Sequence, residues 1–194
     1  MICNGHRTIG LTGYRKVMIM RKLTARELRK YLETKSTTDL VSDIVLFFTQ
    51  FDGVKEYYSA HLGHGYSEDL LEKYKTIIRK EFFPTRGFGS ARLSIARKAI
   101  TDYKKVSQNL LGLVDLMLFY VELGVRFTNE YGDITEAFYN SMESVYDGAL
   151  KLITSNDLHE HFQIRCQKIV TDTRNIGWGF HDTLNDMYQT AFDD

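Results

Sequence analysis

The chain has 194 residues, 43% hydrophobic and 13% aromatic, with 25 Lys and Arg against 25 Asp and Glu. That length suits one domain with a sizeable core, and the composition excludes a chain disordered throughout. Two cysteines far apart, Cys3 and Cys166, exclude a disulfide framework, and a single proline, Pro84, suits a mostly helical chain.

The zero net charge conceals an asymmetry. Residues 1–105 hold 20 Lys and Arg against 11 Asp and Glu, whereas residues 106–194 hold 5 against 14. Opposite fields of this kind either help the two halves dock or leave a basic partner surface on the first. Residues 1–20 lack apolar periodicity and read as a flexible or spurious extension ahead of a single all-α domain at 21–194. Their longest apolar run, Val17–Met20, is too short for a secretory signal, so the cytoplasm is the expected compartment.

Thr24 and Glu27 form a capping box that opens a helix to about Thr34, with Leu28, Tyr31 and Leu32 inward. Ser36 or Thr37 caps a second helix, whose Leu40, Ile44, Phe47, Phe48 and Phe51 recur at helical spacing. A short helix over Val54–Ala60 precedes a turn holding His61 and His64. Ser67 caps the next helix, with Leu70, Leu71, Tyr74, Ile77 and Ile78 inward. Pro84, Gly87 and Gly89 make a loop, followed by a helix over Leu93–Val106 with Ala96, Ala99, Ile100 and Tyr103 inward.

From Leu110 to Val121 almost every residue is apolar, Asp115 being the one charge. Apolar residues on all faces predict a helix with neighbours on every side. A membrane span needs roughly 20 apolar residues, and Glu122, Arg126 and Glu130 interrupt too early. Gly132 stops this helix near Tyr131, and Asp133 with Glu136 reads as a second capping box. Helices over about Ile134–Thr154 and Asp157–Asp172 follow, then a last one capped by Asn175. Short links imply antiparallel neighbours. The expected fold is therefore all-α, a compact multi-helix bundle or short α-solenoid of eight to nine antiparallel helices.

Several stretches carry a resemblance. The opening Leu-Thr-Ala-Arg-Glu-Leu-Arg-Lys-Tyr-Leu at 23–32, Glu81-Phe-Phe-Pro with the following Arg-Gly and Ala-Arg-Leu-Ser-Ile-Ala-Arg-Lys-Ala-Ile, Asn129-Glu-Tyr-Gly-Asp-Ile, and Ile176-Gly-Trp-Gly-Phe-His-Asp are similar to the bacterial domain-of-unknown-function family 6155. The resemblance covers about Met20 to Phe192. It implies a compact helical cytoplasmic protein and carries no catalytic residue.

Two constellations stand as candidate sites. Arg86, Arg92, Arg97, Lys98, Lys104 and Lys105 form a basic stretch beside a glycine-containing loop, suited either to a polyanion such as nucleic acid or to a solvated face. Glu122, Arg126, Asn129, Glu130, Trp178, His181 and Asp182 are polar or aromatic groups expected near buried helix ends. Glu122 and Arg126 are spaced to pair, and Gly177 and Gly179 are read as lying in a first helical turn that lets Trp178 anchor packing. These groups form either a paired polar layer or a functional pocket. Glu136, Asn140, Glu143 and Asp147 line one helix face and read as solvated. No metal or cofactor motif occurs: there is no Glu-x-x-His, His-Glu-x-x-His, Cys-x-x-Cys or P-loop. The leading expectation is a non-catalytic protein-interaction module. A polyanion binder and an enzyme built on the second constellation are the alternatives.

Overall fold

The computed structural model describes residues 22–62 and 66–192. The expected extension at 1–20, His64 and the last two aspartates lie outside them. Among the described residues there are nine helices: α1 (Ala25–Leu32), α2 (Thr37–Gln50), α3 (Asp52–Leu62), α4 (Tyr66–Phe82), α5 (Leu93–Val106), α6 (Leu110–Tyr131), α7 (Glu136–Ser155), α8 (His159–Asp172) and α9 (Phe180–Phe192). The chain divides into two compact units at Val45 and Leu46, inside α2.

In the first unit the capping box is present. The Glu27 amide donates to Thr24 Oγ1 at 3.3 Å and the Thr24 amide to Glu27 Oε2 at 2.9 Å. Ser36 accepts from the Asp39 amide, which starts α2 at Thr37. The expected inward stripes are corrected: neither α1 nor α2 has a buried residue, and Leu28, Tyr31, Ile44, Phe47 and Phe51 are exposed. Periodicity tells which side of a helix is apolar, but not whether another element covers it.

The second unit is built round α6, which packs against α4, α5, α7 and α8, while α9 packs against α7 and α8. Leu116, Leu118, Tyr120 and Val121 are fully buried on different sides of α6, so the expected central helix is observed. Gly124 allows α7 to approach it, since a Cβ there would come within 2.2 Å of Met142 Sδ. Phe82 is wholly buried at the end of α4, its ring edge-on to Tyr120, Phe127 and Phe138.

Several expected boundaries move. His61 belongs to α3, its Nδ1 within 2.7 Å of the Tyr57 carbonyl, and Ser67 lies inside α4. The cap of α7 is Thr135, which accepts from the Phe138 amide. Asp133 instead accepts from the Tyr139 hydroxyl at 3.0 Å. α9 begins at Phe180, not near Asn175, because Trp178 and Gly179 have φ of +63° and +69°. A left-handed pair closed by the Phe180 amide donating to the Gly177 carbonyl is a turn, not a first helical turn.

Candidate functional site

The basic stretch is half neutralised. Arg92 forks onto buried Glu81, Nε to Oε2 at 2.8 Å and Nη2 to Oε1 at 3.0 Å, which raises the Arg92 pKa. Lys98 and Lys105 both pair with Asp102, holding its carboxyl below the usual range. Arg97 donates to Ser141 Oγ at 3.1 Å and Ser144 Oγ at 3.4 Å, and Ser141 Oγ also meets the buried Tyr120 hydroxyl at 2.8 Å. Among the described residues Arg86, Arg97 and Lys104 have no carboxylate partner, so three of the six cations keep an uncompensated charge. Among the described residues of the second unit a single ion pair, Lys75 to Asp115, joins residues 46–105 to residues 106–194.

The second constellation is dispersed. Glu122, Arg126 and Asn129 line a concavity on α6 and α8 with Lys168, Ile169 and Asp172, whereas His181 lines a separate cavity with Arg174 and Asn185. The expected Glu122–Arg126 pair is not made. Arg165, reaching from α8, forks onto Glu122 at 2.6 and 2.8 Å and also pairs with Asp115, which Lys75 holds from α4. Burial alone would lower the Arg165 pKa, but the bonds and charges of Glu122 and Asp115 outweigh it and keep the guanidinium above its ordinary value. Arg126 turns the other way, over the Phe83 ring and 3.7 Å from Glu130. Asn129 donates to the Asp172 carbonyl that ends α8. Arg165 escaped the sequence reading, yet two signals pointed to it: it follows Phe162 by three on α8, at the border of the apolar stripe, and Asp115 needed a cation.

Trp178 is 65% exposed in its left-handed turn, so the expected packing anchor is corrected. A bulky residue in that region costs about 1–2 kcal/mol. Asp182 is exposed beside half-buried His181. The Thr173 hydroxyl donates to the Val170 carbonyl at 2.6 Å and so accepts from His181 Nδ1 at 2.9 Å. That fixes the proton on Nδ1 in the neutral ring and leaves Nε2 as the free acceptor. The acidic line on α7 is only partly solvated. Glu136 and Asn140 are exposed, but Glu143 is half-buried and its pKa is raised by desolvation, while Asp147 pairs with Lys151 on a groove of about 610 Å³ beside α9.

Among the described residues two exposed apolar surfaces emerge that motif reading did not find. On α2, Val41, Ile44, Val45 and Phe47 are each 41–56% exposed, as is Phe51 just beyond its end. On the 83–92 loop, Phe88 is 84% exposed and touches Tyr131 edge-on. That loop is held firmly: the Ala91 amide donates to the Glu81 carbonyl at 2.8 Å, and a Cβ on Gly89 would come within 1.8 Å of the Phe82 carbonyl oxygen.

Cys166 is fully buried and desolvation pushes its pKa up to about 12. In a Cys3→Ser variant, the remaining thiol is expected to resist an aromatic disulfide reagent at pH 8 in native protein and to react within minutes in denaturant. At four units below that pKa only about one thiol in 10⁴ is ionised. Rapid native labelling would show the site open.

Among the described residues no group of three or more His, Cys, Asp or Glu is placed to hold a metal ion, and no helix is long and apolar enough to cross a membrane. What remains is an all-α protein whose polar groups are mostly paired and whose distinctive surfaces are apolar. The chain belongs to DUF6155, a family of unknown function, whose model matches residues 23–193. Neither the curated proteins nor the solved structures yield a match.

Proposed function

We propose that this protein is a bacterial cytoplasmic, non-catalytic interaction module that presents a helical surface to a protein partner. The single observation that carries this reading is the uncovered face of α2. Val41, Ile44 and Val45 fall at i, i+3 and i+4, a helical stripe within the first unit. Their exposure leaves three apolar groups of one helix face in water. Monomeric proteins rarely tolerate such patches, and an amphipathic helix laid into a partner's groove uses this spacing. Within the second unit, exposed Phe88 and Tyr131 form a separate pair of the aromatic residue types that dominate interface energetics. The polyanion reading ranks behind it, because Glu81 and Asp102 already engage Arg92, Lys98 and Lys105.

The test separates an interface from a hidden core. Ile44→Glu and Phe51→Glu are expected to change unfolding free energy by less than about 0.5 kcal/mol, as surface substitutions do. A photocrosslinking residue at Phe47 in growing cells is expected to give a discrete protein adduct that Ile44→Glu abolishes, while one at exposed Lys151 gives none. Unfolding by Ile44→Glu, or the same adducts from both positions, would refute the proposal.

A further inference from the structure

Between the C-terminal half of α8 and α9 lies a cavity of about 150 Å³. Gln167 and Thr171 on α8, Arg174 just beyond it, and His181, Asn185 and Gln189 on α9 form its polar walls. The α9 residues follow at i, i+4 and i+8, so they share one line facing α8. No carboxylate contributes to the lining. Among the described residues, neither Arg174 nor the side-chain amides of Gln167, Asn185 and Gln189 have a protein hydrogen-bond partner. The walls thus gather one uncompensated cation and three amides with spare donors.

We propose that this cavity binds a phosphoryl group, either inorganic phosphate or a small phosphate monoester. Arg174 supplies the charge and a planar fork of donors matched to two oxygens. Gln167, Asn185 and Gln189 donate to the others. With Nδ1–H donating to Thr173, Nε2 of His181 is the ring atom that can meet the P–OH that monohydrogen phosphate carries and that sulfate lacks at neutral pH. The volume of about 150 Å³ equals roughly five water molecules at ~30 Å³ each, enough for a tetrahedral anion. Of the carboxylates nearby, Asp172 pairs with Lys168 and, with Asp133, lines an adjoining concavity that Arg174 also edges, while Asp186 lines the groove toward α7 and Asp182 is exposed one residue from His181. The carbonyl end of α8 opposes an anion, and Arg174 is the group that offsets it.

The experiment is calorimetric titration of the full chain with inorganic phosphate at low ionic strength. One saturable site of millimolar affinity is expected. Arg174→Gln should weaken it about tenfold or more, Gln189→Ala about threefold, and sulfate should bind several-fold more weakly. Arg97→Gln serves as the control, since Arg97 also lacks a carboxylate partner, and should leave the affinity unchanged. Arg174 is exposed, so the variant is expected to keep the helical circular dichroism of the parent. Absence of saturable heat at high millimolar phosphate, or binding that Arg174→Gln spares, or binding lost equally in Arg97→Gln, would overturn the assignment. The cavity uses no residue of α2, so its failure leaves the interaction reading standing, and the reverse.

Discussion

Replacing Phe82 with alanine is expected to cost about 3–5 kcal/mol of unfolding free energy, the range for removing a fully buried aromatic ring. Phe82 has no exposed surface, and Tyr120, Phe127 and Phe138 meet it at 5.7, 5.9 and 6.3 Å between ring centroids. Those rings belong to α6 and α7, so the cavity would open where three helices converge and could not collapse without moving one. Edge-on aromatic pairs add stabilisation beyond area alone. For a chain of this size, the melting temperature should fall by roughly 6–20 °C. Phe82→Leu, which keeps most of the volume, should cost about 1–2 kcal/mol. Urea denaturation of the three proteins checks both figures. A loss below about 1 kcal/mol for the alanine variant would mean that this ring is not where the core closes.

The second large effect is expected at Arg165. Arg165→Met keeps the packed stem but removes the fork that satisfies Glu122. Asp115 would retain Lys75, so Glu122 is the group left stranded. Breaking a buried pair by removing one partner costs about 3–5 kcal/mol. These side chains remain 21–35% exposed, and water partly screens them, so about 2–3 kcal/mol is the expected loss. The double variant Arg165→Met with Glu122→Leu should recover most of that, because well-packed apolar groups replace a desolvated pair at little net cost. A single variant as stable as the parent, or a double variant no better than the single, would show that the network is ornamental to stability.

The network matters for reading the rest of the molecule. It ties α4, α6 and α8 through Lys75, Asp115, Glu122 and Arg165 and engages both Asp115 and Glu122 of the central helix. A carboxylate committed to a guanidinium fork is not free for proton transfer. That removes Glu122 from the role an enzyme reading would give it. A second set of polar groups lies at the other side of α8, in the cavity of Arg174 and His181. His181 is half-buried with its Nδ1 on Thr173, while its Nε2 is what the phosphoryl proposal uses.

Much of the fold was legible in the residues. The all-round apolar run of α6 announced a surrounded helix, because no single face could bury it. Thr24 with Glu27, and Gly132 as the C-terminal stop, marked ends correctly because capping is a contact within one turn. Asp133 and Asn175 misled for the same reason in reverse: both types cap helices, but here Thr135 caps α7 and a left-handed turn delays α9 to Phe180. The local sequence fixes which groups compete for a helix end, and only the tertiary path decides among them.

Charge pairing was beyond the sequence. Spacing on α6 favoured Glu122 with Arg126, yet the winner came from 43 residues away, because a fork on a facing helix reaches both oxygens in a desolvated crevice whereas Arg126 keeps a water-exposed place over Phe83. The basic stretch looked open in sequence and is half neutralised in space by Glu81 and Asp102. Conversely the stripe of α2 looked like core and lies uncovered. By itself the sequence determined helix identity and the apolar side of each helix, since both follow from a periodicity of 3.6 residues. Which sides are covered, which charges are neutralised and where unspent donors gather were decided by tertiary packing, since those depend on which elements meet across long stretches of chain.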